Sequence, residues 1–284
     1  MVKCAKLLGL DIFRQIRKPR VHIVVCIKQT PDSAAEMVVE NGIVSWGDTP
    51  MVVNPWDEYA LEEAIRTKEK YGGQVTAIVM GRKSAGEALK TAIAMGCDSG
   101  VMLCDEDFFR CDARGTARIL ARAIEKLGDV ELAFFGKQAI DGDSGLVPLS
   151  VAFVLGWTPL SYVCEVYEID LHEARISVAR LLEEGRQNCL ATLPAVVSVV
   201  KEINEPRYPS FIGIRKASKV EIPVWDLAEL GLDDSEIKTC DSAVIWSQIQ
   251  SLAKSSREVE MIEGDSVEAI VTELADRLMD DMVI

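Results

Sequence analysis

Apolar runs of strand length recur along the chain at 22–27 (HIVVCI), 74–80 (QVTAIVM), 100–104 (GVMLC), 131–135 (ELAFF) and 193–200 (LPAVVSVV). They are nearly continuous rather than alternating, as expected for strands buried on both faces. Stretches of helical period follow the early ones. The first opens at Asn54-Pro55-Trp56-Asp57-Glu58, with an N-cap residue, a proline at the first helical position and acids in the first turn. Its apolar positions 60, 61, 64 and 65 share one face. Further helices are expected at 85–95 and 112–127, and another, with Pro148 in its first turn, after residue 144. Strands alternating with such helices predict βαβ units, right-handed crossovers and an α/β fold with a mostly parallel sheet flanked by helices. The rhythm changes after Trp157. Short strands at 161–169, 175–181 and 187–192 read as a small antiparallel meander, after which 193–200 rejoins the parallel sheet. A hairpin turning at Asn41-Gly42 is expected between 37–39 and 43–46. The stretch from about residue 221 reads as an extended C-terminal arm ending in a helix over 266–279, apolar at Val267, Ile270, Val271, Leu274 and Leu278.

The polar loop 136–144, between a strand and a helix, is the longest of its kind. In an open parallel sheet, ligands sit beyond the carboxyl ends of strands, against helix N-termini. This loop is therefore the expected ligand site. Backbone N–H groups near Ser144 and Gly145, with the Ser144 hydroxyl, suit a phosphate; Asp141 and Asp143 do not, because carboxylates repel it. Asn54 either caps its helix or binds a base or ribose. The chain contains neither G-x-G-x-x-G nor G-x-x-x-x-G-K-[ST], which excludes an ordinary dinucleotide fold and a P-loop.

Composition narrows the function. A formal net charge of −14 over 284 residues argues against nucleic-acid binding, and no apolar run reaches membrane-spanning length. Eight cysteines without a C-x-x-C pair read as reduced thiols of a cytosolic protein; a bacterial cytoplasm is expected in preference to the mitochondrial matrix. With only His22 and His172, histidine metal sites and a Ser-His-Asp triad are disfavoured, and no catalytic residue or metal ligand is assigned. Residues 1–20 carry six basic residues and one acidic. They read as a disordered tail or as sequence preceding a true start at Val21, in preference to a targeting peptide. The main domain is then 21–220, and the arm 221–284. In 201–219, Phe211, Ile212 and Ile214 stand among charges, which suggests a contact surface; a loop folded back on its own domain is the alternative.

Three stretches together resemble one family: Asn54-Pro55-Trp56-Asp57-Glu58-Tyr59-Ala60-Leu61-Glu62-Glu63-Ala64, Gly136-Lys137-Gln138-Ala139-Ile140-Asp141-Gly142-Asp143 and Asn204-Glu205-Pro206-Arg207-Tyr208. Their order and spacing are similar to those of the β subunit of electron transfer flavoprotein, and 24–29 (VVCIKQ) resembles that family's first strand. The resemblance implies a Rossmann-like, adenine-nucleotide α-hydrolase-like fold. It implies a heterodimer with an α subunit that holds most of an FAD, the arm packing on that subunit. AMP is expected in this chain, or a redox-active FAD that oxidises NADH if the protein is a bifurcating member. The role is that of an electron carrier, in a setting such as fatty acid β-oxidation, from an acyl-CoA dehydrogenase-type flavoenzyme to a membrane quinone oxidoreductase, without membrane insertion of its own.

Carried over by motif, the nucleotide contacts fall on Cys26 and Met80 (backbone), on Asn54, Pro55, Trp56 and Asp57, and on Gly136, Lys137, Gln138, Ala139, Ile140, Asp141, Gly142, Asp143, Ser144, Gly145, Leu146 and Val147. The recognition segment becomes 199–219, with Pro206, Arg207, Tyr208, Phe211, Ile212, Ile214, Arg215 and Lys216. Two departures stand out. Leu146-Val147-Pro148-Leu149 replaces the family's usual Gln-Val-Gly-Pro, which bears on AMP against FAD. Phe211 replaces a common leucine, and the following basic run is thinned to Arg215, Lys216 and Lys219, which bears on the dehydrogenase. A stand-alone adenine-nucleotide sensor of the universal-stress type is the competing reading from another class.

Overall fold

A computed structural model describes residues 21–40, 42–233, 249–250 and 259–283. The expectations for residues 1–20 and for the turn residue Asn41 lie outside the described residues. In chain order the elements are β1 (Val21–Ile27), β2 (Gln29–Pro31), β3 (Val38–Glu40), β4 (Ile43–Ser45), β5 (Met51–Val53), α1 (Pro55–Tyr71), β6 (Gly73–Met80), α2 (Gly86–Met95), β7 (Ser99–Leu103) and α3 (Ala113–Leu127). They continue with β8 (Leu132–Gly136), α4 (Leu146–Leu155), β9 (Thr158–Asp170), β10 (Arg175–Leu182), β11 (Gly185–Thr192), β12 (Ala195–Val199), α5 (Phe211–Ala217), β13 (Val224–Trp225), α6 (Leu227–Leu230) and α7 (Val267–Asp280).

A nine-stranded sheet has the order β11-β10-β9-β12-β8-β1-β6-β7-β13. All neighbours from β9 to β13 pair in parallel; β10 runs against them, pairing antiparallel with both β9 and β11. The last apolar run does rejoin the parallel sheet, as β12 between β8 and β9. β1 shows why the sheet is covered on both sides. Val21, Ile23, Val25 and Ile27 enter one core with Ala60, Leu61, Ala64 and Ile65 of α1 and Leu89 and Ala92 of α2. Val24 and Cys26 enter another with Ala117, Leu120 and Ile124 of α3 and Val151 and Ala152 of α4. Alternating side chains feed opposite layers, so every residue of the strand is buried.

Local chemistry sets the helix starts. Asp112 caps α3 by accepting from the N–H groups of Arg114 and Gly115, at 2.9 and 3.0 Å. Ser266 caps α7 and Ser210 caps α5 in the same way. Helix α5 is absent from the sequence expectation, because Pro206, Pro209 and Gly213 argue against a helix there. His22 is structural: its ring nitrogens lie 3.2 Å from the Gly128 carbonyl and 3.1 Å from the Thr76 hydroxyl. His172 sits exposed in the β9–β10 turn.

The chain divides into two compact units. Among the described residues, one comprises 21–37 and 45–233 and holds the large sheet; the other comprises 38–40, 42–44, 249–250 and 259–283, with the β3–β4 pair and α7. No residue of α7 is buried. Among the described residues, no helix is long and apolar enough to cross a membrane.

Candidate functional site

The large sheet runs outward from β1 in two directions: through β6 and β7 on one side, through β8 and β12 on the other. The topological switch point therefore lies between β1 and β8, where open α/β sheets bind ligands. The loops leaving these two strands meet there. Lys28, just past β1, pairs with Asp141 of the 136–145 loop at 2.7 Å. Cys26, Met80 and Gly136 lie near or at the carboxyl ends of three adjacent strands, as the crevice requires.

The first turn of α1 holds this junction from behind. Asp57, 6 % exposed, accepts from the Lys28 N–H at 2.7 Å and from the Gly136 N–H at 3.1 Å, so one carboxylate ties together the ends of β1 and β8. Asn54 is fully buried. Its amide Nδ2 donates to the Gln138 carbonyl at 2.9 Å, and its Oδ1 accepts from the Ile140 N–H at 3.1 Å. It makes no side-chain cap to α1. Of the two roles considered from sequence, cap or nucleotide ligand, the cap is not formed; both polar atoms of the amide are used on the loop. Gly136 is required by contact: a Cβ there would lie 2.6 Å from the carbonyl carbon of Trp56.

Burial pushes the Asp57 carboxyl up from 3.8 to about 7, against the pull of the Lys28, Asn54 and Gly136 hydrogen bonds. The unfolded chain sheds this proton at ordinary carboxylate pH, whereas the folded chain holds it until near neutrality. Stability from this group is therefore lost as pH rises from about 4 to about 7. Glu58 and Glu63, also raised by burial, act with the same sign. Urea midpoints for the native chain should fall across that window, and Asp57→Asn should flatten the fall. A midpoint that climbs with pH there would contradict this assignment. The neighbouring Cys26 thiol is raised by burial and by the Asp57 charge, which suppresses the reactive thiolate.

The outer part of the loop suits an anion. Asp143 and Gly145 have positive φ, 52° and 61°, beside the start of α4. Such alternation turns successive N–H groups to one side, and the first N–H groups of the helix have no intrahelical partner. The Ser144 hydroxyl stands 3.5 Å from the Leu146 N–H. The acids of the loop are occupied: Asp141 by Lys28, Asp143 by the Gln138 amide. Lys137 lies over the Trp56 ring at 4.2 Å. Leu146 is exposed and Val147 half-buried. The donors present therefore fit a phosphate group held mainly by backbone, at a loop whose shape is set by Asn54 and Asp57.

Residues 199–219, expected from the resemblance to serve recognition, lie on the same unit as the large sheet. Tyr208, Phe211 and Ile212 are 94, 92 and 84 % exposed, and Ile214 is 52 % exposed. Arg215 and Lys216 are also exposed. Arg207 differs from them: its guanidinium is bound to Glu62 and Glu69 of α1. The link was invisible to sequence reasoning, since 145 residues separate Glu62 from Arg207. Gly213 fits closely against α2, where a Cβ would run into the Ala94 carbonyl. Gly213→Ala should therefore displace α5 and raise hydrogen exchange across residues 208–217, leaving the melting of the main domain nearly unchanged; protection equal to the native chain would contradict this packing.

Comparison with known proteins agrees with this architecture. A family model described as the electron transfer flavoprotein domain matches residues 43–230. The Protein FixA of Azotobacter vinelandii is 36% identical over 250 residues, covering 86% of this chain and 89% of its own. The electron transfer flavoprotein subunit beta of Thermoanaerobacterium thermosaccharolyticum is 36% identical over 269 residues, covering 93% of this chain and 100% of its own. The protein of the same description from Mycobacterium bovis is 34% identical over 258 residues, covering 88% and 96%. The chain belongs to the electron transfer flavoprotein β-subunit and FixA family.

Proposed function

We propose that this chain is the β subunit of a heterodimeric electron transfer flavoprotein. It pairs with an α subunit that holds most of an FAD, and it carries AMP at the β1–β8 switch point. The heterodimer accepts electrons from an acyl-CoA dehydrogenase-type flavoenzyme and delivers them to a membrane quinone oxidoreductase. The chain contributes no catalytic group; it binds, positions and docks. Bound FAD supplies the electron chemistry, and this chain's residues shape the complex around it.

The observation that carries the reading is the distribution of uncovered apolar side chains. Phe211 and Ile212 on α5, and Val267, Val271 and Leu274 on α7, stand exposed, whereas the central strands β1, β8 and β12 are buried along their whole length. Apolar surface gathered on helices in this way marks contact with other proteins. The loop donors beside α4, with adjacent acids already paired, support the nucleotide.

Co-expression with the α subunit tests the assembly. A 1:1 complex by size exclusion, yellow with flavin, is expected. A lone chain that stays monodisperse and ignores the α subunit would overturn the reading and return the universal-stress alternative.

A further inference from the structure

Residues 204–208 are joined to α1 by side chains rather than by a strand or helix ladder. The Arg207 Nε donates to Glu62 Oε2 at 2.8 Å and its Nη2 to Glu62 Oε1 at 3.0 Å. On the other side, Nη1 and Nη2 reach the two oxygens of Glu69 at 2.7 and 3.0 Å. Two carboxylates thus grip one guanidinium by forked pairs, the strongest geometry available to it. Glu62 is the anchor: its side chain is 3% exposed, and it also accepts the Arg207 backbone N–H at 3.1 Å and the Arg66 Nε at 2.7 Å. Asn204 adds bonds to the Tyr59 carbonyl and to Glu63, both at 3.1 Å.

Within this network the Arg207 guanidinium is engaged on both sides by Glu62 and Glu69, and Glu62 is shared with Arg66. What it controls is place. Only Tyr208, Pro209 and Ser210 separate Arg207 from Phe211, so the tether spans at most about 14 Å. At its other side α5 is seated by Gly213 against α2 and by buried Ala217.

We infer that Arg207 is a positioning residue: clamped between Glu62 and Glu69, it sets where the exposed apolar face of α5 stands for the docking flavoenzyme, and does not itself touch that partner. The inference rests on the reading of Phe211 and Ile212 as the docking surface.

The variants are Arg207→Met, Arg207→Lys, Glu69→Gln, the Arg207→Met/Glu69→Gln double and Phe211→Ala, each in the co-purified heterodimer. Glu69 is 53% exposed, so its variant does not threaten folding. Hydrogen exchange is read first. Arg207→Met and Glu69→Gln should each speed exchange at 208–217 several-fold and leave 136–145 unchanged; unchanged exchange at 208–217 overturns the inference. The second readout is electron transfer from an acyl-CoA dehydrogenase reduced with its acyl-CoA. Arg207→Met should raise KM about tenfold with kcat and salt dependence retained, and Arg207→Lys, lacking the fork, should not rescue it. Glu69→Gln should also raise KM, and the double variant should be no worse than Arg207→Met. A direct contact gives the opposite pattern: Glu69→Gln frees the guanidinium and docking holds or tightens, with additive losses. If Phe211→Ala leaves KM unchanged, or the native heterodimer accepts no electrons, the docking reading fails, and exchange alone decides the role of Arg207.

Discussion

Asp57→Ala is expected to destabilise the chain by about 3 kcal/mol near pH 5 and to strip it of bound nucleotide. The substitution leaves the buried N–H groups of Lys28 and Gly136 without an acceptor, each worth about 1–3 kcal/mol. The deficit should shrink above neutrality. There the native carboxyl is ionised in a buried site, and the native chain carries that penalty while the alanine chain does not. Urea unfolding at both pH values, with extraction and chromatography of the bound nucleotide, measures both effects. An alanine variant as stable as the native chain at low pH, with nucleotide retained, would show that the junction is not held from α1. Asn54→Ala should act in the same direction through the loop alone, since Gln138 and Ile140 lose their side-chain partner.

Phe211→Ala is expected to leave folding stability within about 0.5 kcal/mol of native, because the ring is almost wholly exposed. Docking should suffer much more. A large aromatic anchor at the centre of an interface is worth about 2 kcal/mol or more, a loss of roughly thirtyfold in affinity for the electron donor. Flavin content should not change. A variant that docks normally, or one that sheds flavin, would remove α5 from the docking surface.

Much of this arrangement was legible because it is local. The continuous apolar run of β1 announced a strand buried on both sides, and Asp112 and Ser266 marked helix starts that the structure retains. The β8-to-α4 loop, which stands at the β1–β8 switch point, was legible as a long polar connection between a strand and a helix. The side chains that shape the site were not. Asn54 occupies a position where asparagine ordinarily caps, and nothing nearby reveals that its amide partners lie 84 and 86 residues away. Arg207 sits in a segment that reads as exposed recognition surface, yet its partners are on α1. Helix α5 was hidden by its flanking prolines and its glycine; that glycine is needed for the approach to Ala94. The two-residue strand β13 is too short to carry a periodicity, and it is placed by pairing with β7.

The geometry of the loop also bears on the Leu146–Leu149 departure. Both leucines are exposed at the start of α4, and the donors beside them are backbone groups. A site built this way depends on the shape of 136–145 rather than on a particular polar side chain at 146.

The most direct test is the nucleotide count of the co-purified heterodimer. Denaturation, separation and quantitation of released cofactors should give one FAD and one AMP per α–β pair, with the AMP lost in Asp57→Ala. Two FAD and no AMP would contradict the account.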